Sequence, residues 1–292
     1  MPPSAGNMHG GFARPPHPLL VEPIIRRALE EDLGRAGDLT TDLLIPSDAR
    51  SRAVIAAREE GVISGLIAAK LAFQIIDANI RIDISAEDAS PVTSGQTVAT
   101  IEGPARALLT AERVALNFLG HLSGVATQTR AFVQRIAGTR ARIICTRKTI
   151  PGLRLLQKYA VRCGGGLNHR FGLDDAILVK DNHIAAAGGL EKAMSRLRGQ
   201  LGPTIKIEVE VDTLVQLKQA LALGVDAILL DNMSPDMLRQ AVEITGGRAA
   251  LEASGGVTLD RVRAIAETGV DFVSSGALTH SVRSLDLGLD FV

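Results

Sequence analysis

The sequence predicts an α/β protein: a mixed sheet-and-helix region followed by a parallel α/β barrel. Three observations lead there. Apolar runs of strand length recur through the second half, "ARIICTRK", "AILVKDN", "IKIEVEVD", "AILLDN", "AALEASGG" and "DFVSSGA", with helical segments between them. Strands buried on both faces that alternate with helices make parallel βαβ crossovers. About six such units, without a dinucleotide glycine fingerprint, favour a barrel over a doubly wound sheet. Finally, charged residues collect at the C-terminal ends of the runs, and in a parallel barrel those ends open on one face.

The chain has 292 residues, 46% of them hydrophobic, which suits one large or two moderate domains. Residues 1–18 are rich in Pro and Gly and read as a disordered or loosely packed arm. His9 and His17 in that arm lack metal-ligand spacing. The arm has no apolar h-region, so it is not a secretory signal. No apolar run approaches the roughly 20 residues of a membrane helix. Net formal charge is +0, so no global field draws the protein onto nucleic acid or an anionic membrane. The 2 cysteines, Cys145 and Cys163, fit a reducing cytoplasm rather than a disulfide framework.

Val21 to Leu33 has helical spacing and ends at Gly34 and Gly37; "GDLTTDLLIP" reads as a turn-rich connector. Between Arg52 and Thr100, short strands and turns flank the helical "LIAAKLAFQIID". Leu108 to Leu122 is the strongest helix of this half, with Thr110 as a candidate N-cap. Arg113, Asn117 and His121 fall four apart and form one polar stripe on it, either a solvated face or one turned to a site or partner. After Thr129 the strand runs begin, separated by helices at Leu153–Arg162, Leu190–Leu197, Thr213–Leu223, Pro235–Thr245 and Leu259–Glu267.

The strand ends carry Arg147 and Lys148, then Lys180, Glu210, Asp231, Ser254 with Gly255, and Ser275 with Gly276. Charge after an apolar interior, repeated on consecutive strands, marks a site. Arg147, Lys148, Arg170 and Lys180, with His169 nearby, make a cationic half; Arg forks suit carboxylate or phosphate and Lys acts as a point charge. Glu210 and Asp231 could hold Mg²⁺ or accept from sugar hydroxyls. "ASGG" and "SSGA" offer small residues and backbone N–H groups where barrels commonly hold a phosphate. The ligand asked for has several anionic groups, a phosphate at one end and a divalent metal, as a sugar phosphate does. "CGGGLNHRFGLDD" is a glycine-rich connector that carries His169 and Arg170 and is not a Walker loop. His280 lies close to the expected phosphate loop, whereas His183 reads as easily as a structural histidine.

"TRKTIPGLRLLQKYAVRCGGGLNHRFGLDDAILVKDNH" strongly resembles quinolinate phosphoribosyltransferase, the carboxylating nicotinate-nucleotide pyrophosphorylase family. "GDLTTD" and "LTAERVALNFLGHLSGVAT" resemble its N-terminal motifs, and "EVEVD", "ILLDNM", "LEASGGV" and "SSGALTHS" its later ones, in order. Ile150 and Gly120 depart from the expected pattern. The resemblance implies the reaction: quinolinate and phosphoribosyl pyrophosphate give nicotinate mononucleotide, pyrophosphate and carbon dioxide, with Mg²⁺, in NAD biosynthesis. It implies an N-terminal α/β sandwich domain over residues 19–129, joined to an incomplete (open) α/β barrel over 130–281, with the tail 282–292 returning to the first domain. It implies a homodimer, or an assembly of dimers, with shared sites. In it, Arg147, His169 and Arg170, with Arg113 from the partner subunit, would bind the two carboxylates. Lys148, Lys180, Glu210 and Asp231 would line the ribose and pyrophosphate region, with Glu210 and Asp231 on the metal directly or through diphosphate and water. Thr146, Ser254, Gly255, Gly256, Ser275, Gly276, Ala277 and His280 would hold phosphate.

Two other readings compete on the residues alone. A nicotinate phosphoribosyltransferase would need fewer cations for its single carboxylate, and the usual two-acid Thr–Gly sheet motif of phosphoribosyltransferases is missing; Asp174 and Asp175 precede their strand instead. A Schiff-base aldolase would need Lys148 or Lys180 in a dry or cationic pocket.

Overall fold

The structure, a computed structural model, describes residues 13–292. Residues 1–12, with His9 and most of the expected arm, lie outside the described residues. The chain forms two compact units. Unit 1 takes the residues through Arg130, then Thr149–Gly165 and Thr279–Val292; unit 2 takes Ala131–Lys148 and Gly166–Leu278.

Unit 1 opens with α1 (Pro18–Leu33), which starts ahead of Val21 because proline suits a first helical turn. His17 caps it: its Nδ1 accepts from Leu19 N–H at 3.2 Å. The expected connector "GDLTTDLLIP" instead holds α2 (Leu39–Leu44). The Asp38 carboxylate caps α2, accepting from Thr41 N–H and from the Thr110 hydroxyl, each at 3.0 Å. There follow β1 (Arg50–Ala57), β2 (Gly61–Val62), α3 (Leu66–Ile76), β3 (Arg81–Ile84), β4 (Pro91–Val92) and β5 (Thr97–Pro104). α4 (Ala105–Arg135) is much longer than the apolar pattern predicts, and it begins directly after β5. Thr110 therefore lies inside the helix and is no N-cap; it anchors the cap of α2 instead. α5 (Arg154–Cys163) clusters with unit 1, although its sequence lies within the 130–281 stretch expected to be barrel. Its Tyr159 and Cys163 are buried with Val62 and Ala126, and that apolar contact decides where the helix belongs.

Unit 2 starts from β6 (Arg142–Ile144) and continues through β7 (Ile177–Val179), α6 (Asp181–Ala187), α7 (Leu190–Arg198), β8 (Ile207–Val211), α8 (Leu214–Ala222), β9 (Ala227–Asp231), α9 (Pro235–Thr245), β10 (Ala250–Ser254), α10 (Val262–Ala266) and β11 (Phe272–Ser274). The short α11 (Ala277–His280) and β12 (Leu287–Phe291) end the chain. In unit 1 the antiparallel sheet runs β12-β1-β5-β3, with β2 and β4 paired apart from it.

The second sheet runs β6-β11-β10-β9-β8-β7, all parallel. β6 and β7 do not pair, so the barrel is open between them. The open edge of β6 is not left bare. Leu167 N–H donates to Ile143 O at 2.8 Å, and Cys145 N–H donates to Leu167 O at 3.1 Å.

Side chains alternate along these strands. Val209, Ile228, Leu230, Leu251 and Ala253 are buried on one face. On the other lie Leu178 and Lys180, Glu208 and Glu210, Leu229 and Asp231, and Glu252 and Ser254, brought together by the register Leu178↔Glu208, Glu210↔Leu229, Leu229↔Glu252 and Asp231↔Ser254.

Candidate active site

The inner face of unit 2 encloses a cavity of about 540 Å³, within the usual range for small-molecule sites. Its lining includes Thr146, Arg147, Lys148, His169, Arg170, Lys180, Glu210, Asp231, Ser254, Gly255 and Gly256, so most of the expected residues meet here. All but His169 and Arg170 come from a strand end or the loop after it, because a parallel sheet directs all those ends to one side; His169 and Arg170 come from the connector between α5 and β7.

Thr146 shapes the loop after β6 by accepting from Lys148 N–H at 3.0 Å. Lys180 reaches Glu210 across adjacent strands, Nζ to Oε2 2.6 Å. A Schiff-base lysine needs a dry pocket or cationic neighbours, and this carboxylate partner argues against the aldolase reading at Lys180. Lys180 N–H also donates to His183 Nδ1 at 3.0 Å, so His183 organises the first turn of α6. Asp231 accepts from Asn232 Nδ2 at 2.7 Å. Asn232 is left-handed at φ 54° and presses on Gly255, itself at φ 93°. A Cβ on Gly255 would lie 2.1 Å from Asn232 Oδ1, so only glycine fits here.

The glycine-rich connector is clipped rather than slack. Asp175 accepts from Phe171 N–H at 2.6 Å and Gly172 N–H at 2.9 Å, and Arg170 Nη1 donates to Ala176 O at 3.2 Å. Burial, and then the charge of Arg147, press the Arg170 guanidinium below its ordinary value. Two half-buried guanidiniums side by side favour an anion between them. His169 accepts from Arg170 N–H on Nδ1 at 2.7 Å. Its Nε2 lies 2.8 Å from Glu208 Oε2 and 3.5 Å from Glu252 Oε2. Burial, and next the charge of Glu208, push the Glu252 carboxyl well above the carboxylate range. Among the described residues, His169, Glu208 and Glu252 form the group with ligand atoms within 4.8 Å of one another.

Glu208 and Glu252 are absent from the sequence reading, as are the lining residues Leu178, Leu229, Asn232 and Ser274. The signal was present: in "IEVEV" and "LEAS" a polar residue precedes each strand-end residue by two, on the same face.

Other expected residues fall outside this lining. Ser275 is buried, and its hydroxyl donates to Val257 O at 3.1 Å. Gly276 precedes α11, and Ala277 is its first residue. His280 belongs to unit 1 and is exposed, with Nδ1 2.5 Å from Ser281 Oγ. Arg113, also in unit 1, is exposed on α4 and 3.6 Å from Glu112. The rest of its stripe is not simply solvated. Asn117 and His121 line a separate cavity of about 350 Å³ in unit 1, and His121 Nε2 lies 3.0 Å from Gln157 Nε2. Burial pulls the His121 imidazole below its ordinary value.

Known proteins match most of this chain. Residues 38–123 match the model of the quinolinate phosphoribosyl transferase N-terminal domain, and residues 125–290 that of its C-terminal domain. A nicotinate-nucleotide pyrophosphorylase [carboxylating] of Mycobacterium leprae is 47% identical, over 91% of this chain and 95% of its own. A probable one of Bacillus subtilis is 43% identical over 93% of each. The solved nicotinate-nucleotide pyrophosphorylase of Francisella tularensis superposes with a TM-score of 0.90 at 40% identity, covering 97% of this chain and 99% of that one. Human nicotinic acid phosphoribosyltransferase, at 14% identity and a TM-score of 0.57, shares the fold alone. Matched by both domain models of the family and by relatives over more than nine-tenths of each chain, the chain belongs to the quinolinate phosphoribosyltransferase family.

Proposed function

We propose that this protein transfers the phosphoribosyl group of phosphoribosyl pyrophosphate to the nitrogen of quinolinate, with decarboxylation. The products are nicotinate mononucleotide, pyrophosphate and carbon dioxide, a step of NAD biosynthesis. The relatives named above support the reaction. The observation that carries it on this chain is one cavity holding guanidiniums and carboxylates together: Arg147 and Arg170 beside each other, with Glu210 and Asp231 on neighbouring strands.

Quinolinate is a pyridine with two adjacent carboxylates. Arg147 and Arg170, with His169 in the same wall, bind them; Arg forks match planar carboxylates. The ring nitrogen attacks the anomeric carbon as its bond to pyrophosphate breaks, and the bond electrons leave on the pyrophosphate oxygen. Lys148 and Lys180 stabilise that anion, while Glu210 and Asp231 face the cationic character that develops on the ribose. Ser254, Gly255 and Gly256, with backbone N–H groups, hold the 5-phosphate together with Ser275, Gly276 and Ala277. Transfer comes first. The bond to the 2-carboxylate then breaks, its electrons pass to the carbon beside the positive ring nitrogen, and that carbon takes a proton from solvent. Glu210 and Asp231 supply hard oxygens suited to Mg²⁺ and stand outside the tight three-residue group, so they would hold it with diphosphate oxygens and water completing its shell. The ion supplies charge neutralisation for the leaving diphosphate. Arg113 acts from a partner subunit in a homodimer. The protein works in the cytoplasm, in keeping with its 2 buried cysteines, neither of which forms a disulfide. Among the described residues no helix is long and apolar enough to cross a membrane.

The test is direct. Purified protein with phosphoribosyl pyrophosphate and Mg²⁺ receives quinolinate or nicotinate, and nucleotide and carbon dioxide are followed by mass spectrometry. Mononucleotide with carbon dioxide from quinolinate alone is expected. Product from nicotinate alone would keep the phosphate site and overturn the substrate.

A further inference from the structure

Gln157 of α5 is a fully buried amide that the chemistry above does not use. Three partners surround it, all in unit 1. Its Nε2 donates to Thr279 O at 2.7 Å and faces His121 Nε2 at 3.0 Å, and its Oε1 accepts from Ile150 N–H at 2.9 Å. A carbonyl oxygen only accepts and a backbone N–H only donates, so the amide cannot be turned the other way round. Its NH2 group then gives one proton to Thr279 O and the other to His121 Nε2. That ring nitrogen must accept, so the imidazole is neutral with its proton on Nδ1. Burial, which pulls this imidazole below its ordinary value, favours the same state. The acids that line a cavity with it, Glu31 and Asp32 of α1, pull the other way, and a protonated ring would turn an N–H onto the amide's NH2 group.

The chain passes from unit 2 to unit 1 between Lys148 and Thr149, and again between Leu278 and Thr279. Ile150 lies just after the first crossing and Thr279 just after the second, so one side chain grips both. Arg147 and Lys148 precede the first; Ser275, Gly276 and Ala277 precede the second. We propose that Gln157 is a positioning residue for phosphoribosyl pyrophosphate: through Ile150 N–H and Thr279 O it fixes the spacing between the Lys148 loop and the phosphate segment, with His121 accepting its second amide proton. The two segments take opposite ends of one ligand. Lys148 meets the diphosphate that leaves, and Gly276 and Ala277 the 5-phosphate that stays, so their separation has to match it. A buried amide suits the task, because losing any one of its bonds leaves a buried polar group unpaired. An apolar side chain of similar volume would fill the same place and hold neither segment.

The inference rests on the proposed reaction for the identity of its ligand, and two measurements test it. In ring-¹⁵N spectra of the full-length protein at neutral pH, with the signal identified by its loss in His121→Phe, the Nδ1–H tautomer is expected. A proton on Nε2 would overturn the proposal. Calorimetric titrations then compare wild type with Gln157→Leu, using phosphoribosyl pyrophosphate with Mg²⁺ and, separately, quinolinate. Phosphoribosyl pyrophosphate should bind the variant about tenfold more weakly; quinolinate, which keeps His169 and Arg170, should lose no more than about twofold. Equal weakening of both, or unchanged binding, would sink the proposal, since a role in folding alone lowers Tm without favouring one ligand. Should Gln157→Leu fail to fold, His121→Phe removes only the third partner and should show the same preference at about threefold. Wild type that binds phosphoribosyl pyrophosphate yet leaves quinolinate unconverted would refute the reaction, while the tautomer and the phosphoribosyl pyrophosphate titration would still decide the role of Gln157.

Discussion

Asp88 shows how a buried residue can tie stability to pH. Its Oδ1 accepts from Leu66 N–H at 3.2 Å and its Oδ2 from the Tyr159 hydroxyl at 2.7 Å. Burial nevertheless dominates and raises its carboxyl above the ordinary value. Below about pH 4 the group is protonated both folded and unfolded, and its contribution is complete. As pH rises, the unfolded chain ionises first, so this contribution falls and is lost through the raised folded value. Asp88→Asn has nothing to ionise. It should cost about 1 kcal/mol or more in acid, where it loses an acceptor for Tyr159, and the cost should shrink as pH rises. Denaturant unfolding of both proteins from pH 4 to 8 reads the difference; a cost that is flat or grows with pH would refute the account. None of this was legible from the sequence, since Asp88 lies in a run read only as strands and turns, and its partner Tyr159 is far away in the chain.

Elements with a strong local code were legible, and those defined by their partners were not. All six parallel strands and the helices α5, α7, α8, α9 and α10 follow from the sequence pattern, with caps such as Thr213 accepting from Gln216 N–H and Ser234 ahead of Pro235, whereas the short α6 and α11 do not. α2 was missed because its six residues show too little periodicity to register, and its cap needed Thr110 from elsewhere. α5 is legible as a helix at Leu153–Arg162, but its packing with Val62 and Ala126 is not written in its own sequence. The C-terminal tail is a similar case. It lies along α4, where Leu285 N–H donates to Gly120 O at 2.9 Å, and then β12 pairs with β1. Gly120, read as a departure from the family pattern, is a point of close approach: a Cβ there would sit 2.9 Å from Leu285 O. At Gly124 the fit is tighter, 2.2 Å from Arg283 O, so a side chain must lift the tail. Gly124→Val should therefore cost roughly 2 kcal/mol, lower Tm by several degrees and speed tryptic cleavage at the exposed Arg283. Unchanged Tm and cleavage would mean that the tail is held by β12 alone.

At the scale of the whole molecule, Arg113 is the informative residue. It has the charge for a carboxylate site and yet belongs to unit 1, exposed on α4 with only Glu112 nearby, while the cavity of expected residues lies within unit 2. In the proposed homodimer Arg113 would serve the partner's site, and an isologous dimer would repeat each contact twice. The sequence shows that the cation exists on a polar stripe, but no intrachain pattern can state which copy it serves, because that depends on a surface docking with itself. Complementation reads it out. Arg113→Ala should abolish quinolinate turnover in its own dimers, and Lys148→Ala should do the same by removing a charge from the cavity. In a hybrid dimer with shared sites, one site receives both substitutions and the other receives neither. Random exchange makes half the dimers hybrid, with one intact site in each, so about a quarter of wild-type activity should return. If each site takes Arg113 from its own chain, every site in the hybrid carries one substitution, and mixing restores nothing. Mass-resolved confirmation that subunits have exchanged turns a null result into evidence that the arginine acts within its own chain.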